Sequence, residues 1–539
     1  MVILSTINSQ HINTITTENR EPDWLIRMRE KALSNYESLP VEVSPLYSKY
    51  SDANRLKPEY IHLPDRTIRS EPYKDLVDRL DELEHGTGIL QIGSSINRIF
   101  IPDKIAKQGV IISDLKEAII QHEDLIKATL SANQLEYTED KFLALEAAAF
   151  QSGIFIYIPK NVIIEEPIRI VNSLADNGIS SIGRNIVVAD ISSKATVVQE
   201  IYAPPNATNN NIQQAYFELV ECHVHPNARL EMVTLQAMSG DTINFSNRKA
   251  FIDRDAKMSW YLGMFGTQLS RYKIDSIMKG PGSSGEDVEI IFGIGNQSFD
   301  VTSNLIHLGH NSRGRVLVKS VMKDTSKSLF KGMIKIEKSA KAAESYLAGH
   351  AILLDKGAKS DAIPGLEIQT NEVKATHSAS VAQLDESQLF YLMCRGLSRD
   401  GAKREIVNGF LEPLSRKMGP TIRAWINYLI ENKWSGKSIK VCEEHSIKNG
   451  DLMDFDYKDK KILIAKSENK LFATDRICTH AYADLSTGFM NEEEKTVTCP
   501  LHMSIFKLED GVPQNLPAEE PLKTYPVKTE QSWVYIFVE

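Results

Sequence analysis

SSKATVV (residues 192–198), PNARLEMV (226–233), RDAKMSWY (254–261), SGEDVEII (284–291), SRGRVLV (312–318) and KSAKAAESYL (338–347) share one layout. Each opens with a turn, passes a small or short residue and runs into a strand-forming segment. The marker positions Ala195, Ala228, Ala256, Glu286, Gly314 and Ala340 follow one another at intervals of 33, 28, 30, 28 and 26 residues. No helical stretch separates them. A period drifting around about 28 residues predicts a coiled or stacked sheet, in which each unit buries its apolar face against the next. A β-helix meets that requirement, and so does a sandwich of hairpins.

Working outward, this texture begins near Gly153 with IFIYIPKNVIIEEPIRIV (154–171) and ends near Arg395. Residues 1–150 read as mainly helical. Glu21-Pro22-Asp23 supplies the proline and acid of a first turn, and Trp24, Met28, Ala32 and Tyr36 recur every four residues as an apolar stripe. DLKEAIIQHEDLIKATL (114–130) and DKFLALEAAAF (140–150) continue in that style. Helix returns over 396–433. Ser398 is placed to cap a segment carrying Ile406, Phe410, Leu411 and Leu414, and Pro420 opens another with Ile422, Trp425, Ile426 and Leu429. Residues 434–438, WSGKS, read as a linker, and 439–539 are again rich in strand formers.

The chain has 539 residues, 42% hydrophobic and 25% charged, enough for several soluble cores. Its first 24 residues lack a basic region followed by an apolar block. No apolar run approaches the ~20 residues that span a bilayer, so a cytoplasmic setting without membrane contact is the expectation. Net charge is −9, and residues 438–539 alone carry 12 Lys+Arg against 18 Asp+Glu. That sign argues against nucleic-acid binding. It fits a solvated acidic surface, or steering toward a basic redox partner.

The five cysteines, 222, 394, 442, 478 and 499, are too few and scattered for a disulfide framework, which shifts weight to metal or reactive roles. Cys478-Thr479-His480 and Cys499-Pro500-Leu501-His502 stand 18 residues apart. Two thiolates suit one ferric iron, and two neutral imidazoles can hold a second. LFATDRI (471–477) and KTVT (495–498) read as strands feeding the two loops, with Gly488 marking a turn between them. Zinc competes for the same donors. Zinc fingers pair Cys with Cys and His with His, however, whereas each half here mixes the two.

Residues 438–539 resemble the Rieske ferredoxins of ring-hydroxylating dioxygenases, down to the tail FKLEDGVPQNLPAEEPLKTYPVKTEQSWVYIFVE (506–539). The resemblance implies a [2Fe–2S] cofactor with Cys478, His480, Cys499 and His502 as ligands. It also brings departures. Respiratory Rieske proteins join the two loops by a disulfide and place a Ser and a Tyr beyond the second His as donors to sulfur. Neither loop here has another cysteine, and Ser504 fills the first donor position while Phe506 fills the second. Fewer donors stabilise an added electron less, so the potential is expected toward the low end of the Rieske span, on the order of −150 mV. Met503 stands where that family usually has Gly. Solvent-facing His480 and His502 would couple potential to pH.

Residues from about 20 to 415 resemble the SufB/SufD family, scaffold proteins of SUF iron–sulfur cluster assembly. The resemblance rests on ENREPDWLIRMREKALSNYESLP (18–40), on SGIFIYIPKNVIIEEPI (152–168), and most specifically on LEIQTNEVKATHSASVAQLDESQLFYLMCRGL (366–397). It implies a right-handed parallel β-helix flanked by helical ends. The SufB branch carries an assembly cysteine before the last block, whereas ESYLAGHAILLDKG (344–357) has none, so the likeness is to the SufD branch. A SufD histidine implicated in cluster assembly at the SufB–SufD interface falls on His377, with Ala375 and Ser378 where the family has Cys and Gly. A lone histidine on a strand edge also reads as an ordinary structural group. The helices after Arg395, in RGLSRDGAKREIVNGFLEPL (395–414), occupy the place where the family grips the ATPase SufC. No GxxxxGK[ST] pattern occurs, so ATP hydrolysis must come from that partner.

Glu221-Cys222-His223-Val224-His225 looks like a metal box, but on a strand Cys222 faces away from both histidines. A core cysteine with exposed histidines is the expectation there, and buried thiols are expected at Cys394 and Cys442.

The fold expected is therefore mainly β: helical 1–150, a β-helix core over 151–395, a helical segment over 396–433, and a small all-β Rieske domain over 439–539. The function expected is that of a SufD-like scaffold, without catalytic activity of its own, that carries an electron-transfer domain. Its expected partners are a SufB-like subunit, a SufC-type ATPase, apo iron–sulfur proteins and a reductase, in a hetero-oligomer or homodimer. The alternative is a general electron carrier for an oxygenase or reductase, with the scaffold half as an oligomerisation platform. A mononuclear-iron oxygenase is disfavoured, because no catalytic domain follows the Rieske unit.

Overall fold

The computed structural model describes residues 4, 6–41, 55–64, 76, 86–133, 135–175, 178–204, 212–239, 241–416, 420–435, 437–457, 460–530 and 533–538. The chain divides into two units, Met1–Ile426 and Asn427–Glu539.

The first unit is a parallel β-solenoid. Successive strands alternate between two sheets. Lys194–Tyr202, Arg229–Gln236, Lys257–Met264, Ser284–Gly293, Arg313–Met322, Glu344–Leu353 and Lys374–Gln383 follow one another in one sheet. Ala215–Val224, Ile243–Ile252, Leu269–Met278, Ser298–His307, Lys327–Ile336 and Lys359–Ile368 follow one another in the other. Lys257 pairs with Ser284, Ser284 with Arg313, Arg313 with Glu344 and Glu344 with Lys374, so one coil takes roughly 30 residues. The repeated segments in the sequence all open strands of the first sheet. Their parallel pairing excludes a sandwich of hairpins, which would be antiparallel.

The turn before each of these strands is built the same way. Ser192, Asn227, Asp255, Gly282, Asn311 and Ala342 all have positive φ, between 55° and 69°. Their N–H groups donate to the next coil, Asn227 to Arg254, Asp255 to Pro281 and Gly282 to His310. A single left-handed residue per coil turns the chain, and short polar residues or Gly tolerate that conformation best. Stacking thus gives the N–H of each of these left-handed residues a carbonyl partner in the neighbouring coil.

Inside the coil, Met232, Trp260, Val316 and Leu347 stack in register in one buried column, which also contains Asp287. Arg248 enters the buried region with a full set of partners. Arg248 donates to Glu218 at 2.8 Å, Gln199 at 2.9 Å and Thr234 at 2.7 Å.

Within 1–150 the described residues form helices Ser9–Glu18, Asp23–Ser38, Leu115–Gln121, Glu123–Ala132 and Lys141–Ala149. That stretch also holds Thr87–Ile92, Ser95–Phe100 and Ile111–Asp114, which are strands. Thr87–Ile92 pairs in parallel with Ile168–Ser173, and Ile111–Asp114 pairs antiparallel with Ile154–Ile158, so both sheets reach back past residue 150. The run TGILQI is buried at every position, which favours a sheet interior over a one-sided helix. Lys141–Ala149 is buried throughout and lies against the second sheet, where Phe142 stacks on Phe245 at 4.4 Å.

After the last coil come helices Glu386–Met393, Arg399–Ser415 and Pro420–Ser435. Ser398 caps the second by accepting the Gly401 N–H at 3.1 Å. Most of the stretch read as a linker is taken up by element ends: the last helix runs to Ser435, and a strand starts at Lys437. No helix among the described residues is long and apolar enough to cross a membrane.

The second unit is all β in its sheets. Lys437–Glu443, Trp533–Val538 and Val527–Glu530 form one, and Leu452–Tyr457, Lys460–Ser467, Lys470–Asp475 and Thr524–Tyr525 another. Phe489–Asn491, Thr496–Thr498 and Ile505–Lys507 form a small third sheet. Leu463, Phe472, Val497, Phe506, Leu508 and Leu522 pack together with Cys478 and Cys499.

Candidate metal centre

Two loops of the second unit have the same construction. In the first, the Cys478 N–H donates to the Ala483 carbonyl at 2.8 Å, and the Tyr482 N–H donates back to the Cys478 carbonyl at 3.0 Å. In the second, the Cys499 N–H donates to Ser504 at 2.8 Å, and the Met503 N–H to Cys499 at 3.1 Å. Tyr482 and Met503 take left-handed φ values of 55° and 60°. Each loop follows a strand, Lys470–Asp475 or Thr496–Thr498, so the two cysteines enter from rigid elements.

The result separates the donors by depth. Cys478 and Cys499 are fully buried, and both thiols are free. His480 and His502 are exposed, with ring centroids 4.8 Å apart and planes at 84°. Burial pushes the Cys478 thiol up. The His480 and Ala481 N–H groups work against that, and the Cys499 thiol, within hydrogen-bonding reach, adds to it. The donors thus form two pairs, thiol with thiol and imidazole with imidazole. A two-iron centre needs that set, with a sulfur-ligated iron inside and a nitrogen-ligated iron at the surface. A single tetrahedral zinc needs all four at one point. Among the described residues, no group of three or more His, Cys, Asp or Glu side chains stands as a single-ion site. The donor set fits a [2Fe–2S] cluster.

Around the donors, Ser504 is buried and accepts the Ala518 N–H at 3.2 Å. Phe506 is buried and offers no hydrogen bond. The Thr479 hydroxyl donates to the Glu520 carbonyl at 2.8 Å, tying the first loop to the tail segment. Large apolar side chains of the loops and tail face solvent: Tyr482 is 84% exposed, Leu501 58%, Met503 57% and Leu516 72%.

His377 lies on Lys374–Gln383, the last strand of its sheet among the described residues, and is exposed. It pairs with Leu347, so it continues the column of Val316, Asp287 and Trp260 to the uncovered end of the solenoid. Leu366, Ile368 and Val381 on the last two strands are also exposed.

Three expectations need correction. His223 is buried, with its ring stacked on Phe251 at 5.2 Å and Nδ1 3.0 Å from Asn133. The N-terminal helices cover this outer face of the sheet, and burial lowers the His223 pKa to about 3. His225 is half-exposed and pairs with Asp253 at 3.3 Å, while Cys222 is in the core as expected. Cys394 is exposed, because it falls at the end of the short helix Glu386–Met393, of which only Leu389 is buried. Cys442 is half-buried.

Sequence reading missed Arg476 beside the first loop, and the carboxyl pair Asp287 and Glu289 inside the solenoid. Arg476 is marked only by its place two residues before Cys478. The acid pair carries the signal of alternate acids in a buried strand, DVE.

Residues 171–410 match the SUF system FeS cluster assembly SufBD core domain, 8–170 the SufBD protein N-terminal region, and 437–526 the Rieske [2Fe-2S] domain. An iron-sulfur cluster assembly protein SufD of Bacillus subtilis (strain 168) is 29% identical over 422 residues, which cover 76% of this chain and 94% of that one. An iron-sulfur cluster assembly SufBD family protein of Staphylococcus haemolyticus (strain JCSC1435) is 27% identical over 440 residues, covering 79% and 92%. Among solved structures, the ferredoxin of carbazole 1,9a-dioxygenase from Nocardioides aromaticivorans IC177 aligns at 24% identity and TM-score 0.19, over 19% of this chain and 100% of that one. A Sphingomonas yanoikuyae B1 ferredoxin aligns at 29% identity and TM-score 0.18, over the same shares.

Proposed function

The chain belongs to the SufBD family as a SufD-like scaffold of iron–sulfur cluster assembly that carries a Rieske [2Fe–2S] domain, and from that premise we propose that this domain supplies electrons to clusters being built on the scaffold. Cys478, His480, Cys499 and His502 hold the cofactor in this reading. When bound, the cluster supplies one-electron transfer. The residues do the rest. The two thiols anchor from inside the fold, and the two imidazoles stand at the surface, where a partner can approach. The observation that carries the reading is this division, with buried Cys478 and Cys499 against exposed His480 and His502. Joining donor and scaffold in one chain raises the donor's effective concentration at the assembly site.

The scaffold half works with partners. A SufB-like subunit is proposed for the uncovered strands Lys359–Ile368 and Lys374–Gln383, whose exposed backbone edges and apolar side chains suit sheet continuation. His377 is the candidate assembly residue at that interface. A SufC-type ATPase is proposed for the helices after Arg395, where Leu397 is exposed among basic side chains and Phe390 and Tyr391 are exposed on the short helix just before. The chain itself has no catalytic role in this reading. Apo iron–sulfur proteins receive the product, and a reductase recharges the Rieske domain.

The test is cluster formation by the full-length chain with its SufB-like and ATPase partners, using a reductant that reaches the scaffold only through the Rieske domain. Faster assembly by the wild type than by Cys478→Ser supports electron supply. Equal rates refute it.

A further inference from the structure

The strand that leads into the first ligand loop ends at Asp475, and Arg476 follows at 5% exposure. Each nitrogen of its guanidinium meets a different carboxylate. Nη1 lies 3.3 Å from Asp454, Nη2 2.9 Å from Asp456, and Nε 3.2 Å from Asp484 as an ion pair. Asp454 and Asp456 belong to the strand Leu452–Tyr457, whereas Asp484 belongs to the loop that begins at Cys478. The same side chain therefore joins the base sheet to the loop.

The backbone repeats the connection. The Arg476 N–H donates to Lys461 at 2.9 Å, the Leu485 N–H donates to Arg476 at 2.8 Å, and Ile477 bridges Asp484. Asp484 also accepts the N–H of Ser486 at 2.9 Å and its hydroxyl at 2.6 Å. Burial raises its pKa, but the Ser486 donors and the Arg476 charge outweigh that and hold it below the usual carboxylate range. The planar guanidinium reaches three carboxylates from three separate nitrogens, hydrogen-bonding Asp454 and meeting Asp456 and Asp484 as ion pairs, whereas an ammonium is a single point charge.

We propose that Arg476 is the positioning residue of the centre, fastening the loop of Cys478 and His480 to the sheet and setting the local charge felt by a bound cluster. This rests on the reading that Cys478, His480, Cys499 and His502 are the ligands. The clamp holds one positive and three negative charges. Removing the positive one makes an added electron less welcome, and removing a negative one makes it more so. The two partners on the base strand are largely exposed, so solvent screens their share.

The full-length wild type and the variants Arg476→Gln, Arg476→Lys and Asp484→Asn, reconstituted anaerobically with iron and sulfide, test this. EPR-monitored redox titration reads the potential, and bleaching by a chelator reads how firmly the loop is held. Arg476→Gln is expected to lower the midpoint potential and Asp484→Asn to raise it. Arg476→Lys is expected to keep the potential near the wild-type value while bleaching several-fold faster. Unchanged potentials in both neutral variants, or shifts of the same sign, overturn the electrostatic role. Wild-type bleaching in Arg476→Lys overturns the fastening role. If Arg476→Gln does not fold, the upward shift in Asp484→Asn still decides. A wild type that takes up no cluster overturns the ligand reading instead.

Discussion

Tyr482 and Met503 hold equivalent places in two different loops: each lies four residues after a cysteine, has a left-handed backbone, and donates its N–H to that cysteine's carbonyl, at 3.0 and 3.1 Å. The pairing explains why a glycine suits the position of Met503. It also turns two large apolar side chains outward beside the exposed histidines.

Glycine at these positions should relieve strain. A left-handed residue with a Cβ costs roughly 1–2 kcal/mol, and glycine gives back about 0.5–1 kcal/mol in chain entropy. Met503→Gly is therefore expected to stabilise the second unit by up to about 1 kcal/mol, read by calorimetry on the full chain. Destabilisation by Met503→Gly would show that its side chain contributes packing despite its exposure.

Ser504 and Phe506 set opposite expectations for potential. Ser504→Ala removes a buried hydroxyl and leaves the Ala518 N–H unpaired, at about 1–3 kcal/mol of stability. It should also lower the midpoint potential if the hydroxyl donates toward sulfur. Phe506→Tyr adds a donor and should raise it. Protein-film voltammetry on both variants checks the signs.

Inside the solenoid, Asp287 and Glu289 are fully enclosed, and Ser303 from the opposite sheet donates to Glu289. Burial pushes both carboxyls up, Asp287 to about 7 and Glu289 well above its usual value. A raised folded-state pKa means the folded chain binds the proton more tightly than the unfolded one. The contribution of Asp287 to stability is therefore full below about pH 4, where unfolded aspartate titrates, and is lost as pH rises toward 7. Asp287→Asn should flatten that decline and raise the melting temperature of the first unit at pH 8. An unchanged difference between variant and wild type from pH 5 to 8 would contradict the shared burial of the pair.

His377 is exposed at the end of its sheet, so His377→Ala should change stability by no more than about 0.5 kcal/mol. With the SufB-like partner present, it should slow cluster formation several-fold. Equal formation rates would leave His377 a surface residue.

The solenoid was legible because one left-handed turn residue and one small residue recur in every coil, as at Asn227-Ala228 and Asp255-Ala256. The candidate ligand quartet was visible in the sequence because the cysteine and histidine of each pair sit close together. Other features depended on distant chain. His223 looked exposed because strand alternation distinguishes two faces but does not say that helices cover the outer one. Strands at 87–114 were hidden in a region dominated by helix-forming segments. Arg476 has partners at 454, 456 and 484, which only the fold brings to one guanidinium.

The most direct measurement is metal and sulfide analysis of the anaerobically reconstituted full-length chain, together with low-temperature EPR of its reduced form. Two irons and two acid-labile sulfides per chain, with a Rieske-type signal that disappears in Cys478→Ser and in His502→Ala, are predicted. One zinc per chain and no sulfide, or an unaltered signal in both variants, would contradict the account.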